Sequence, residues 1–253
     1  MTTTIDYLSQ LPRGVMQNYL SKLASNGAHF MPNSEERLLD FLANPLKDIP
    51  HGVFMAKLEA GELSFTDWRA MFLSAAQRCL HSPSTFALAA AHCPDTETTA
   101  RDYMVRRAHD DKNCWLSSVS DLKNIGYQGS DPREVFPTPA NQACIALGYY
   151  TAMKAPLARL AIDAAERSVA RALGKLADTH RVKRVECYTD NLMLGVRNNV
   201  QPNEDPVREV LSILDRCVLP EMNWATLHHI AKTATTLLMA AHDAALNESI
   251  TKN

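Results

Sequence analysis

The chain has 253 residues, and 46% of them are hydrophobic, which is enough apolar surface for one large helical domain. Its formal net charge of −2 excludes the strongly basic surface that binds nucleic acid, so we expect no nucleic-acid partner. No apolar run approaches the roughly 20 residues that a membrane-spanning helix needs, so we also expect no membrane partner.

The N-terminus and the cysteines both indicate a cytoplasmic protein. Residues 1–14 lack the basic and apolar regions of a secretory signal. The six cysteines are scattered singly, without a C-x-x-C pair, which argues against a zinc site and against a disulfide framework. We therefore expect a cytoplasmic protein with reduced thiols.

Apolar residues recur with helical spacing along the chain, and no strand-like alternation extends beyond a few residues. Ser64 and Asp67 have the spacing of a capping box at a helix start, and Gly61 is placed to end the helix before it. Pro83 predicts a break between two helices. The pattern predicts helices over residues 35–44, 50–61, 65–80, 84–93, 103–126, 142–153, 157–177, 182–200, 206–218 and 223–246.

Residues 103–126, YMVRRAHDDKNCWLSSVSDLKNIG, predict one long amphipathic helix with an acid in its apolar stripe. At roughly 100° per residue, Asp111 falls among the apolar residues, and Arg107 and Cys114 lie along one edge of the stripe. A carboxylate that faces a core is costly unless it is paired, hydrogen-bonded or bound to a metal. Asp111 is therefore either half of a buried ion pair with Arg107 or an acid that faces an internal pocket. Gly126 is the expected C′ residue.

The ending of this segment, SDLKNIG, resembles a helix of heme-oxygenase-like diiron oxidases that closes in a D-L-x-x-(L/I)-G pattern. That helix of the family carries two iron ligands as E-x-x-H, at positions that correspond here to Asp111 and Cys114. Residues 51–77 resemble the family's opening, a short helix, a G-x-L-S turn and a long core helix. Residues 154–166, KAPLARLAIDAAE, resemble the segment in which a proline precedes a helix with a ligand glutamate, here Glu166.

The resemblance implies an all-α, single-domain multi-helical bundle with the heme-oxygenase-like fold, matched loosely over about residues 50–246. We expect an N-terminal helical extension over residues 1–45 and the helical domain over residues 46–253. Dimers are common among the proteins that the chain resembles, so the resemblance also implies a homodimer.

The resemblance further implies a small-molecule enzyme, of the oxidase type, in the biosynthesis of specialised metabolites. Its substrate would be amino-acid-derived or a carboxylate, and its cofactor iron, with Asp111 and Glu166 as the candidate metal ligands. A diiron site needs about four to six Glu, Asp or His ligands. Near residues 187–206, where the late ligand helix should lie, the chain offers asparagines and no histidine. We therefore do not expect a standard diiron site.

Three hypotheses stay open: an enzyme with a rebuilt site, a metal-free enzyme like pyrroloquinoline-quinone synthase of the same superfamily, and a catalytically silent relative. The silent relative would bind a small molecule or an active partner subunit. An enclosed cavity shared by Asp111, Arg107 and Glu166 would favour an enzyme, whereas a filled core around an Asp111–Arg107 pair would favour the silent protein. Two simpler alternatives also stay open: Glu166 as a solvated carboxylate at the rim of the core, and Cys114 as a packing residue.

Arginines are candidates for substrate binding because a guanidinium group binds a carboxylate through two parallel hydrogen bonds. The candidates are, for catalysis, Asp111, Glu166 and Cys114 and, for substrate binding, Arg107, Arg159 and Tyr149.

Overall fold

The computed structural model describes residues 34–47, 49, 51–179, 206–217, 219 and 221–251. Within these ranges the secondary structure is α-helical apart from one short 3₁₀ turn, and no strand occurs. The predicted all-α bundle is confirmed. The helices are α1 (Ser34–Ala43), α2 (Val53–Ala60), α3 (Phe65–His92), α4 (Thr98–Asp110), α5 (Trp115–Asn124), α6 (Pro139–Lys154), α7 (Ala158–Thr179), α8 (Pro206–Leu214) and α9 (Glu221–Thr251). The helix predicted over residues 182–200 lies outside the described residues.

The two long helices α3 and α9 form the centre of the bundle. α3 packs against α4, α5, α6 and α9, while α9 also packs against α1, α6 and α7. Fully buried side chains of this core include Phe86, Met104, Leu160 and Leu246. None of the described helices has the length and apolar character that crossing a membrane requires.

Local sequence sets several helix ends as predicted. Ser64 Oγ accepts a hydrogen bond from the Asp67 backbone N–H at 3.2 Å, and Asp67 Oδ2 accepts one from the Ser64 backbone N–H at 2.8 Å. This capping box starts α3. Gly61 and Gly126 have φ values of 67° and 72°, in the left-handed region that glycine adopts without strain. They end α2 and α5, as their sequence positions predict.

The prediction that Pro83 separates two helices is wrong, because α3 runs through Pro83 as one helix of 28 residues. Proline has no backbone N–H, so the carbonyl four residues earlier, that of Cys79, loses its helical donor. The Cys114 thiol donates a hydrogen bond to this carbonyl instead, with 3.4 Å between Sγ and O. Buried residues lie on both sides of Pro83, among them Phe72 and Phe86, so packing of the whole helix outweighs the proline.

The prediction of one helix over residues 103–126 is also wrong, because a 3₁₀ turn at Asp111–Asn113 separates α4 from α5. The Asp111 carboxylate accepts hydrogen bonds from Ser82 Oγ on α3 at 2.7 Å and from Arg107 Nη2 at 2.9 Å. The Cys114 backbone N–H donates to the Asp111 carbonyl at 2.9 Å, which closes the turn. A tertiary contact to α3 therefore accompanies the break in the helix.

α1 belongs to the bundle, because it packs against α9 and its apolar side chains join the hydrophobic core. Leu38 and Leu42 are among its buried residues. Residues 1–33 lie outside the described residues. The domain boundary between residues 45 and 46 stays a prediction.

A side chain of α9 holds the start of α2. Asp243 Oδ1 accepts a hydrogen bond from the Phe54 backbone N–H at 2.7 Å. A Cβ atom on Gly52 would lie 1.7 Å from Asp243 Oδ2, so the close approach of the two helices requires glycine at this position. This contact places the start of α2 against the part of α9 that lines the cavity described next.

Candidate functional site

A cavity of about 850 Å³ lies within the bundle, walled mainly by α3, the α4–α5 region and α7, with smaller contributions from α2, α6 and α9. This volume is in the usual range for small-molecule sites. Its wall combines apolar side chains, such as Phe54 and Phe72, with buried charged groups. We call the inner charged side chains of this wall the cavity charge cluster: Arg78, Arg107, Asp111, Arg159, Asp163, Glu166 and Arg167.

Asp111 is 6% exposed and lines the cavity. Its ion pair with Arg107, at 2.9 Å, joins residues one turn apart. Burial raises the pKa of Asp111 above its ordinary value, even though Arg107 and the Ser82 hydroxyl favour its charged form. Asp111 is therefore both the partner of a buried arginine and a group of the cavity wall.

Asp163 is the buried anion that holds two arginines of the cluster. Arg167 Nε lies 3.0 Å from Asp163 Oδ1, Arg107 Nη2 lies 3.7 Å from the same oxygen, and the Tyr103 hydroxyl donates to Asp163 Oδ2 at 2.5 Å. Burial opposes the charge of Asp163, but the neighbouring arginines and Tyr103 hold its pKa below the ordinary value. Asp163 and Arg167 were not predicted as site residues from the sequence. The signal was present, since Asp163 is an acid among the alanines and leucines of α7 with an arginine at i+4.

Arg159 lines the cavity and carries a buried donor that lacks a hydrogen-bond partner among the described residues. Its side chain is about as buried as that of Asp163, at 3% exposed, and its guanidinium carbon lies 3.9 Å from the centre of the Phe86 ring. Arg159 Nε donates to Thr85 Oγ1 at 3.3 Å, whereas Nη1 has no hydrogen-bond partner among the described residues. The acid nearest to Nη1 is Glu166, with Oε2 at 3.7 Å. A buried donor without an acceptor is costly, so an acceptor that reached this nitrogen would stabilise it.

Glu166 faces the cavity rather than bulk solvent. The bundle encloses its carboxyl group, yet 44% of its side-chain surface is accessible because the cavity is large enough to admit water. Burial raises the pKa of Glu166 above its ordinary value, and Arg159 offsets only part of this effect. A carboxyl group of this kind can hold and release a proton close to a bound molecule.

Two thiols meet on the cavity wall, those of Cys79 on α3 and Cys114 at the start of α5. A hydrogen bond from Cys114 lowers the pKa of Cys79, and the same interaction together with burial raises the pKa of Cys114. The more readily ionised thiol is thus Cys79, which the sequence analysis did not single out. Its partner lies 35 residues away, so no local motif marks the pair.

Tyr149 does not line the cavity. Its hydroxyl lies 3.1 Å from His81 Nδ1, and His81 is itself a lining residue. The structure therefore places five of the predicted residues on the wall of one cavity: Asp111, Glu166, Cys114, Arg107 and Arg159. Tyr149 lies outside this wall and contacts the lining residue His81.

His242 on α9 is a further lining residue that the sequence reasoning did not assign to the site. It is 5% exposed, and its ring lies 4.7 Å from the ring of Phe54. Burial, with a smaller effect from Arg78, lowers the pKa of His242 well below its ordinary value, so the ring is neutral at neutral pH. Its Nδ1 atom has no hydrogen-bond partner in the described part of the chain.

The loop between α5 and α6 packs beside the cavity without lining it. Gln77 on α3 donates from Nε2 to the Val135 carbonyl at 2.8 Å and accepts from Asn141 Nδ2 at 3.0 Å. Gln77 thereby anchors the loop to α3.

The described donors do not fit a diiron centre. Across residues 34–47, 51–179, 206–217 and 221–251, no three His, Cys, Asp or Glu side chains are placed to hold a metal ion. The candidate ligands Asp111 and Glu166 each face an arginine, at 2.9 and 3.7 Å. The positive charge of these arginines opposes a further cation. The asparagines of the expected ligand helix, at 191, 198, 199 and 203, lie outside the described residues.

The fold of the chain is similar to that of a domain of unknown function with a heme oxygenase-like fold from Shewanella denitrificans OS217, known from a crystal structure. The TM-score is 0.73, the match covers 90% of this chain and 92% of that chain, and the sequence identity is 16%. No family model and no curated protein matches the chain. The similarity confirms the heme-oxygenase-like fold that the sequence predicted.

Proposed function

We propose that this chain is a small-molecule enzyme that binds a carboxylate-bearing substrate in the cavity and acts on it by acid–base chemistry. The observation that carries the proposal is Nη1 of the buried Arg159, which has no hydrogen-bond partner among the described residues and lies 3.7 Å from Glu166 Oε2. A substrate carboxylate at that nitrogen would complete its hydrogen bonding. A hydrogen bond to a charged group contributes about 1.5–3 kcal/mol.

Protonation of the buried acids favours an anionic substrate. The charged residues that line the cavity are six arginines and six acids, so the wall is balanced when every acid is ionised. Because burial raises the pKa of Asp111 and of Glu166, an excess of positive charge arises wherever one of them is protonated. A bound carboxylate offsets this charge in a place where water screens it poorly.

Glu166 is the proposed acid–base group, since it combines a raised pKa with access to the cavity. Asp111 and Ser82 hold Arg107 against α3, so Asp111 positions a cation rather than exchanging a proton with the substrate. Asp163 does the same for Arg167. In this proposal the arginines bind and orient the substrate, and Glu166 transfers a proton.

The proposal retains the carboxylate substrate implied by the family resemblance and replaces oxidation by proton transfer. The described donors around Asp111 and Glu166 do not fit iron, and both carboxyl groups are engaged by arginines. The cytoplasmic location, the homodimer and an amino-acid-derived substrate stay predictions.

The alternative is a catalytically silent protein that binds a small molecule. The Asp111–Arg107 pair favours it, because this pair alone would be a structural feature. Both candidates share the binding step, so the first experiment addresses binding, and turnover of a bound carboxylate then separates them.

Arg159→Met tests the binding step, because methionine keeps a long side chain on Phe86 and removes the donor. Succinate and benzoate are the probes, and their affinities are measured by isothermal titration calorimetry. Loss of about 1.5–3 kcal/mol of binding free energy raises the dissociation constant about 10- to 150-fold. Arg133→Met is the control, since Arg133 is exposed and lies outside the cavity wall. Failure of both probes to bind the unsubstituted protein, or equal binding by Arg159→Met, would overturn the proposal.

A further inference from the structure

Cys79 and Cys114 form a non-local pair of free thiols on the cavity wall. They lie on different elements, α3 and the start of α5, and the Cys114 Sγ atom is 3.4 Å from the Cys79 carbonyl oxygen. The interaction of the two thiol groups lowers the pKa of Cys79 and raises the pKa of Cys114. Both are partly accessible, and the cavity gives small molecules a route to them.

Pro83 helps to explain the pair. It leaves the Cys79 carbonyl without its helical donor, and this draws the Cys114 thiol to α3. The S–H of Cys114 is donated to the Cys79 carbonyl oxygen in this structure. A thiolate on Cys79 is the stronger acceptor, so the Cys114 proton stabilises that thiolate, as does Arg78 beside it.

We propose that Cys79 and Cys114 form a redox-active dithiol that reduces a small hydroperoxide entering the cavity. The Cys79 thiolate attacks one peroxide oxygen, so that an S–O bond forms, the O–O bond breaks, and the departing oxygen takes up a proton and leaves as water or an alcohol. The Cys114 sulfur then attacks Cys79, so that an S–S bond forms and the S–O bond breaks. The hydroxyl leaves as a second water with the Cys114 proton. Two electrons pass from the thiols to the peroxide, and a low-molecular-weight thiol restores the dithiol.

The two cysteines differ in role for a physical reason. Cys79 attacks because it is the more readily ionised of the two. The pKa of Cys114 is raised first by its interaction with Cys79, and oxidation of Cys79 alters this cause. Cys114 then becomes available to resolve the intermediate. The inference needs only the cavity and the thiol pair, so it stands whether or not a carboxylate binds at Arg159.

Cys144 supplies the matched control. It lines the same cavity, and burial raises its pKa to about 11, so it remains a thiol at neutral pH. Access alone would expose Cys144 and Cys79 to the same oxidant, whereas the proposed chemistry needs the neighbouring thiol.

The experiment treats the reduced full-length chain with hydrogen peroxide, quenches it by alkylation and maps its tryptic peptides without reductant. Fragment-ion sequencing distinguishes Cys79 from Cys93, which share the peptide 79–101. We expect the mass to fall by two hydrogen atoms, with the peptides of Cys79 and Cys114 linked. Cys114→Ser should instead stop at a sulfenic acid on Cys79, which dimedone traps, and Cys144→Ser should match the unsubstituted chain. Unmodified Cys79 and Cys114, or linkage to other cysteines, would overturn the inference. The map of the unsubstituted chain decides this even where a variant fails to fold.

Discussion

Asp163 and Glu166 lie one turn apart on α7, and the structure predicts opposite effects on stability when each is made neutral. Asp163→Asn removes the anion that faces Arg167 at 3.0 Å and Arg107 at 3.7 Å. Glu166→Gln removes a carboxyl group whose charge is disfavoured by burial. We expect Asp163→Asn to destabilise the fold strongly and Glu166→Gln to leave it as stable or more stable at neutral pH.

The magnitude for Asp163→Asn follows from its burial. Removing one partner of a buried ion pair costs about 3–5 kcal/mol. Asparagine still offers an oxygen to the Tyr103 hydroxyl, so we expect the lower end of this range, about 3 kcal/mol. With a urea dependence of about 2–3 kcal/mol per molar, the midpoint of unfolding would fall by about 1 M.

The two variants should also differ in their dependence on pH. The pKa of Asp163 in the folded chain lies below its ordinary value of 3.8, so its stabilising contribution is present above that value and is lost as pH falls through the folded pKa. The pKa of Glu166 lies above its ordinary value of 4.5, so the unsubstituted chain loses stability relative to Glu166→Gln as pH rises from 4.5 through the folded pKa.

Urea unfolding followed by tryptophan fluorescence at several pH values measures both effects. Circular dichroism before unfolding checks that each variant retains its helices. Similar shifts of the midpoint in the same direction for both variants would refute the reasoning, because the two carboxyl groups would then have equivalent surroundings.

Two further predictions concern local contacts. Gly52→Ala places a Cβ atom against Asp243 and should break the hydrogen bond from the Phe54 backbone N–H to Asp243. We expect the free energy of unfolding, measured with urea, to fall by about 1–2 kcal/mol. The same change in an Asp243→Ala background should lower it much less, and an equal loss in both backgrounds would argue against the contact. Because Cys114 lowers the pKa of Cys79, iodoacetamide should alkylate Cys79 at a lower pH than Cys144, whose pKa is raised to about 11. Cys114→Ala should move the alkylation of Cys79 to higher pH, and an unchanged profile would show that Cys114 has no such effect.

Helix ends were predictable from the sequence because their causes are local. The Ser64–Asp67 capping box and the left-handed glycines Gly61 and Gly126 depend on residues within one turn. Pro83 misled the prediction because local chemistry favours a break, whereas the packing of α3 against its neighbours favours one helix. The 3₁₀ turn at Asp111 was missed for a related reason, since the contact that accompanies it comes from Ser82 on another helix.

The cavity was predictable in part. An acid in an apolar stripe pointed to Asp111, and the same criterion applied to α7 would have found Asp163. Arg159 and Glu166 came from the family resemblance and from the preference of arginine for carboxylates, and the structure places both at the cavity. Nothing in the sequence indicated Cys79 as a site residue, because Cys79 and Cys114 come together only when α3 packs against the start of α5.

Proton uptake on binding tests the central claim most directly. A carboxylate seated at Arg159 adds a negative charge beside Glu166, which raises the pKa of Glu166 further and draws a proton from solution. Titration calorimetry with succinate and benzoate, in two buffers of different ionisation enthalpy, measures this uptake. The account predicts uptake by the unsubstituted chain that Glu166→Gln abolishes while binding persists. Binding without proton uptake, or equal uptake by Glu166→Gln, would contradict it.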